Sequence, residues 1–185
     1  MATYTVGILV GSASEPSLNR RFADALVRLG ADVGLEFTDI PIVDLPFFGT
    51  QYEADFPPVG QRFKTALDAV DALLFVTPEY NRSIPAVMKN AVDWASRPVG
   101  ENAFPDKPVA VTGASTGDIS TAVAQQELKG ILLAQGAVVL GAPEVYIHVV
   151  DGFFADNGSV ADADTREFLS GFLSRFHQHI RRSRT

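Results

Sequence analysis

Ala72-Leu73-Leu74-Phe75-Val76-Thr77-Pro78-Glu79-Tyr80-Asn81-Arg82-Ser83-Ile84-Pro85 passes from five apolar residues into a polar turn bracketed by prolines. An unbroken apolar run of this length fits a strand covered on both faces, as in a parallel sheet. The prolines restrict the backbone on either side of the turn, so an aromatic ring and an amide are presented from a defined position, which suits a ligand loop. Beyond Pro85 the period becomes helical, with Ile84, Val87, Met88, Ala91, Val92 and Ala95 forming a core stripe and Trp94 lying off it.

The same strand, loop and helix unit recurs on either side. Residues 4–10 read as a buried strand, followed by a small-residue loop from Gly11 and a helix with Phe22, Ala25, Leu26 and Leu29 on one face. Strand 33–40 and helix 59–69 precede the central strand 72–76, and helix 85–95 follows it. Strand 109–112, helix 122–135, a last strand region at 138–140 plus 145–149, and helix 164–181 complete the chain. Five strands alternating with helices predict an α/β fold, a doubly wound parallel sheet of order 2-1-3-4-5 with helices on both faces. Ligands of such sheets sit beyond the carboxyl ends of the strands where the winding reverses, which singles out the loops after Val10, Val76 and Thr112.

With 185 residues, 46% hydrophobic and 20% charged, the chain is expected to form one domain, 1–185, undivided by linker or repeat. No run approaches a membrane span, and Met1-Ala2-Thr3-Tyr4 enters a strand directly, so a cytoplasmic location is expected. The absence of cysteine removes disulfides, thiolate metal sites and thiol nucleophiles, and redox chemistry would need a borrowed cofactor. A net charge of −7 argues against nucleic acid and anionic membranes as partners. The basic tail Arg181-Arg182-Ser183-Arg184 reads as a helix C-terminus complementing the macrodipole. Of the three histidines, His177 and His179 are two apart on a helix and point to opposite sides, so no metal site is expected. Asp68 with Asp71, and Asp162 with Asp164, read as solvated or capping carboxylates rather than acid/base pairs. The connection 41–58 carries Phe47, Phe48, Tyr52 and Phe56, which either cover a site, form a subunit interface or fill a local core.

Gly11-Ser12-Ala13-Ser14-Glu15-Pro16-Ser17-Leu18-Asn19 brings hydroxyls, an amide and a helix start together. Free N–H groups at a helix N-terminus with serine hydroxyls can hold a phosphate even in an acidic protein, although Ser17 could serve only as an N-cap. The loop is neither a Gly-x-Gly-x-x-Gly nor a Walker sequence. Gly113-Ala114-Ser115-Thr116-Gly117-Asp118 is equally small and rich in donors, and could pack on the edge of a flat ligand.

These three loops resemble those of the NADPH-dependent FMN reductase family, flavodoxin-like quinone, chromate and azo-dye reductases. The resemblance runs through Gly11-Ser12, Pro78-Glu79-Tyr80-Asn81 with Ser83-Ile84-Pro85, Lys89-Asn90-Ala91-Val92-Asp93-Trp94, Gly113-Ala114-Ser115, Pro143-Glu144-Val145 and Thr165-Arg166-Glu167-Phe168-Leu169. It implies noncovalent FMN with its phosphate at the loop of Gly11, Ser12, Ser14, Ser17, Leu18 and Asn19. The ring would lie by Pro78, Glu79, Tyr80, Asn81 and Ser83, with Ser115 opposite. It also implies NADPH or NADH as electron donor, a quinone or similar small molecule (FMN, chromate, an azo compound) as acceptor, and a homodimer or homotetramer.

In such chemistry the flavin reacts and the protein supplies position, so no catalytic side chain is expected. Glu79 on this reading is either a flavin contact or a solvent-facing residue, and Tyr80 a ring neighbour or a core residue. Trp94 and the aromatic connection would together offer an apolar surface for self-association. Members commonly read Gly-Ser-x-Arg in the first loop, where this chain has Ser14, leaving Arg20 and Arg82 as possible substitutes. The rival readings are a flavodoxin-type electron carrier without turnover and a flavin-poor binding or regulatory protein.

Overall fold

The computed structural model describes residues 2–184. Five parallel strands build the sheet in the order β2-β1-β3-β4-β5, with β1 at Tyr4–Val10, β2 at Leu35–Asp39, β3 at Ala72–Val76, β4 at Pro108–Ser115 and β5 at Val138–Val139. A sixth, β6 at Tyr146–His148, pairs with the distal half of β4. All pairings are parallel, with Val6 opposite Ala72 and Leu73 opposite Val109. The order is the one that the alternation of strand and helix predicts.

Period-two alternation in β1 sends Val6, Ile8 and Val10 to one face and Leu9 to the other. The first face is covered by α1 (Leu18–Gly30) and α5 (Ala163–Ser183), through Phe22, Leu26, Leu169, Phe172 and Phe176. The second is covered by α2 (Pro58–Asp68), α3 (Ala86–Ala95) and α4 (Ala122–Ala134), through Phe63, Leu67, Met88, Leu128 and Leu132. Central strand β3 has both faces covered and every residue fully buried, which is why its sequence shows no alternation.

Most element ends shift by a residue or two from expectation, and the larger differences fall in β2, β4 and the last strand region. β2 starts at Leu35 rather than residue 33, because Ala31–Val33 form a 3-10 turn and Gly34 takes a left-handed φ of 76°. β4 runs three residues past Thr112, to Ser115, carrying the third loop further along the sheet edge. The last strand position is shared: β5 pairs with Pro108 and Val109, the chain then leaves the sheet, and β6 rejoins it at Gly113.

The aromatic connection is the main correction. Trp94 is fully buried, not a surface residue, although it lies off the apolar stripe of α3. Phe48, Tyr52 and Phe56 pack round its ring at centroid distances of 5.2, 5.2 and 5.4 Å. Its Nε1 donates to Pro46 O at 2.7 Å, and Asn90 next to it donates to Leu45 O and Pro46 O while accepting from Phe48 N. Three of the four aromatics therefore fill a local core under the connection, and Phe47 alone stays outside, 77% exposed. The apolar surface expected of Trp94 and these rings does not exist, since they consume one another.

Several of the polar groups read from the sequence have structural partners. Asp71 accepts from Thr5 N at 2.8 Å and pairs with Arg184 of the basic tail. Asp162 caps α5 by accepting from Thr165 N. His177 and His179 do diverge, bonding Ala2 O and Val138 O respectively, each at 2.7 Å.

Candidate functional site

The loops after β1, β3 and β4 meet at the carboxyl edge of the sheet, on either side of the point where winding reverses between β1 and β3. Gly11 leaves β1 with its N–H bonded to Val76 O at 2.9 Å, and a Cβ there would lie 2.8 Å from Met88 Cε. Gly113 is more constrained: a Cβ would fall 2.0 Å from Thr77 O, so only glycine lets β4 pass this close to the end of β3.

Ser17 is the N-cap of α1, with extended backbone and its hydroxyl accepting from Arg20 N at 3.1 Å. The hydroxyl is thereby spent on the helix. The N–H groups of Leu18 and Asn19 have no partner among the described residues and belong to the first turn, where the helix carries partial positive charge. Asn19 itself is buried, and its amide bonds both backbone groups of one residue across the site: Nδ2 donates to Ala114 O and Oδ1 accepts from Ala114 N, each at 2.9 Å. The first and third loops are thus stapled together.

The second loop closes as a two-residue turn. Tyr80 and Ser83 exchange both backbone hydrogen bonds at 3.0 Å, with Asn81 and Arg82 between them at φ 52° and 66°, the type I′ geometry. Two carboxylates lock this turn to α4. Glu79 Oε2 accepts from Val123 N at 2.9 Å and Ala124 N at 3.1 Å, in the first turn of α4. Glu127 Oε2 accepts in return from Ser83 Oγ at 2.8 Å and Ile84 N at 3.2 Å. Glu79 is therefore a buried brace of the loop rather than a solvent-facing residue, its side chain 7% exposed.

Two adjoining clefts open on this edge. One, about 230 Å³, is lined by Ser12, Ser14, Leu18, Asn19, Tyr80 and Ala114 among others. The other, about 390 Å³, is lined by Asn81, Arg82, Gly117, Asp118, Ile119 and Ser120. Glu79 and Ser115 border both. Of the residues expected at the site, Ser12, Ser14, Leu18, Asn19, Pro78 and Tyr80 line the first cleft, Asn81 the second, and Glu79 and Ser115 both. Gly11, Ser17 and Ser83 stand behind this lining, as a close-packing glycine, a helix cap and a partner of Glu127. Asp118 belongs to the third loop already singled out, whereas Ile119, Ser120 and Glu127 escaped sequence reasoning. Glu127 left no signal in the sequence, since its partners Ser83 and Ile84 lie more than forty residues away.

Neither substitute arginine reaches the first loop. Arg20 is drawn to Asp39 at 2.8 Å and Asp24 at 3.9 Å, and Arg82 lies on the second cleft, 3.2 Å from Glu79 Oε1. The Ser14 hydroxyl stands 3.2 Å from that of Tyr80. What the first cleft offers an anion is therefore neutral: two unpartnered N–H groups on a helix end and the hydroxyls of Ser12 and Ser14. That donor set fits a phosphate monoester. The second cleft, walled by the Tyr80–Ser83 turn and by the loop after Ser115, has the adjoining position that a ring attached to such a phosphate requires.

The model of the NADPH-dependent FMN reductase family matches residues 4–151. A 2-hydroxy-1,4-benzoquinone reductase from a Burkholderia species is 40% identical over 177 residues, covering 95% of this chain and 96% of the relative. The structure of FerB, a flavoenzyme NAD(P)H:(acceptor) oxidoreductase from Paracoccus denitrificans, is similar with a TM-score of 0.93 at 42% identity, covering 98% of this chain and 99% of that one. A WrbA-like flavodoxin from Agrobacterium tumefaciens, 19% identical with a TM-score of 0.61 over 98% and 99% of the two chains, shares the fold. On the family match and the identity across nearly the whole length, the chain is a member of the NADPH-dependent FMN reductase family.

Proposed function

We propose that the protein is an FMN-dependent oxidoreductase that takes electrons from NADPH or NADH and passes them to a quinone or a comparable small acceptor. The observation that carries this reading is the pair of adjoining clefts at the switch point, one matched to a phosphate and one to a ring, in a chain 40% identical to a benzoquinone reductase. FMN, when bound, supplies the two-electron chemistry for which the chain itself has no thiol and no redox side chain.

The chain's own contribution is binding and order. The N–H groups of Leu18 and Asn19 and the hydroxyls of Ser12 and Ser14 would hold the phosphate, Pro78 and Tyr80 would stand between phosphate and ring, and Glu79, Asn81 and Ser115 would flank the ring in the second cleft. The braces from Glu79 and Glu127 keep the Tyr80–Ser83 turn in one geometry, so reactants meet a preorganised wall. The second cleft admits donor and acceptor in turn, which predicts ping-pong kinetics. The reading includes a homodimer or homotetramer and a cytoplasmic location. Among the described residues no helix is long and apolar enough to cross a membrane.

The test is direct: titrate FMN into the purified protein, record the visible spectrum, and follow NADPH and NADH oxidation with a quinone. Bound flavin, quinone-dependent oxidation and parallel double-reciprocal lines are expected. Bound flavin without turnover would make the protein an electron carrier, and no retained flavin would make it a binding protein.

A further inference from the structure

Among the described residues that line the two clefts, Arg82 is the only cation, and it faces a rim that also carries Glu79 and Asp118. The whole chain has a net charge of −7, so a reactant bearing phosphates meets repulsion over most of the surface and attraction at this one point of the mouth. The left-handed backbone of the turn, unusual for a residue with a side chain, fixes where Arg82 leaves the chain.

Its hold on Glu79 is loose in a specific way. The Arg82 side chain is 62% exposed and meets Glu79 Oε1 at 3.2 Å. Glu79 keeps its other oxygen on two N–H groups of α4, at the positive end of that helix. Departure of the guanidinium therefore strands no uncompensated buried charge, the cost that normally fixes such a pair. The arginine end of the pair stays hydrated, and the guanidinium fork offers further N–H donors for a phosphate.

We propose that Arg82 exchanges Glu79 for a phosphate oxygen of the incoming nicotinamide dinucleotide, and so selects phosphate-bearing electron donors at the mouth of the second cleft. This rests on the reading of the protein as an NAD(P)H oxidoreductase. The phosphate is either one of the pyrophosphate pair that NADH and NADPH share, or the 2′-phosphate of NADPH alone.

Steady-state kinetics of the FMN-loaded protein, with saturating quinone and three donors, tests it. The donors are NADPH, NADH and N-benzyl-1,4-dihydronicotinamide, which is uncharged and has no phosphate. Arg82→Gln is expected to raise KM for the dinucleotide about tenfold, the scale of a lost charge-assisted hydrogen bond, with kcat and the N-benzyl reaction unchanged. Arg82→Lys should fall between, keeping the charge but not the fork. A rise for both dinucleotides assigns the contact to the pyrophosphate, and a rise for NADPH alone to the 2′-phosphate. Added salt should raise the wild-type KM for the dinucleotide more than that of Arg82→Gln. Unchanged KM for both dinucleotides, or an equal rise for the N-benzyl donor, overturns the proposal. Arg82→Gly, which relieves the left-handed backbone, should match Arg82→Gln in KM without a lower thermal midpoint and guards against misfolding. A wild-type protein that binds FMN but oxidises none of the three donors refutes the oxidoreductase reading and this proposal with it; oxidation unaffected by Arg82 refutes this proposal alone.

Discussion

Replacing Asn19 by alanine would leave the N–H and C=O of Ala114, both inside the protein, without partners. Two orphaned buried groups cost about 2–4 kcal/mol together, to be read as a lower denaturant midpoint with unchanged slope. The same variant should bind FMN more weakly, because the first and third loops are no longer tied. Sequence reasoning placed Asn19 at the phosphate, and the residue does line the first cleft, but its amide is committed to the backbone of a residue 95 positions away. A single sequence shows the donor and hides so distant a partner. Ser14 is the opposite case, where the departure from the family pattern was legible and the structure adds that no cation takes its place. Ser14→Arg should tighten FMN binding about tenfold and steepen its salt dependence, measured by fluorescence titration at two ionic strengths.

Elements were legible where burial decides them and illegible where contacts between elements do. The apolar run of β3 and the stripe of α3 could be read directly, whereas the bonds between the β3 loop and α4 join carboxylates to backbone groups more than forty residues away. Glu127→Ala removes both acceptor contacts from Ser83 and Ile84, so exchange of the Ile84 amide should accelerate and FMN affinity should fall several-fold while the helix content is kept. Trp94 was misplaced because a stripe argument considers one partner surface, and the 41–58 connection supplies a second. Gly60 shows how tightly that connection closes: a Cβ would stand 2.6 Å from the Trp94 ring and 2.7 Å from Phe56. Gly60→Ala should therefore cost about 1–3 kcal/mol by overpacking, visible in denaturant melts. At the start of α5, the hydroxyl of Thr165 and then its N–H hold the Asp162 carboxyl below the usual carboxylate range. A lowered folded pKa gives stability that is complete above the unfolded value and disappears as pH falls through the folded one. Asp162→Asn should accordingly flatten the decline of the thermal midpoint below about pH 4.

At the scale of the molecule, strand order followed from the alternation of elements alone, and with it the sheet edge on which the two clefts open, since right-handed crossovers leave few arrangements of five parallel strands. Self-association does not follow from Trp94, Phe48, Tyr52 and Phe56, which pack on one another. The most exposed large apolar side chains among the described residues are instead Phe47 and Val99, at 77% and 75%. Sedimentation at micromolar concentration is expected to show a dimer or tetramer, and Phe47→Ser to weaken it if that ring lies in the interface. The staple between Asn19 and Ala114 has a consequence at this scale too. With the loops after β1 and β4 joined by two hydrogen bonds, the span from the end of α1 to the wall of the second cleft belongs to the fold and does not stretch to suit an occupant. The edge of the sheet then acts as a gauge of fixed length: riboflavin, with no phosphate, can fill one end of it but leaves the bare N–H groups of Leu18 and Asn19 unanswered at the other.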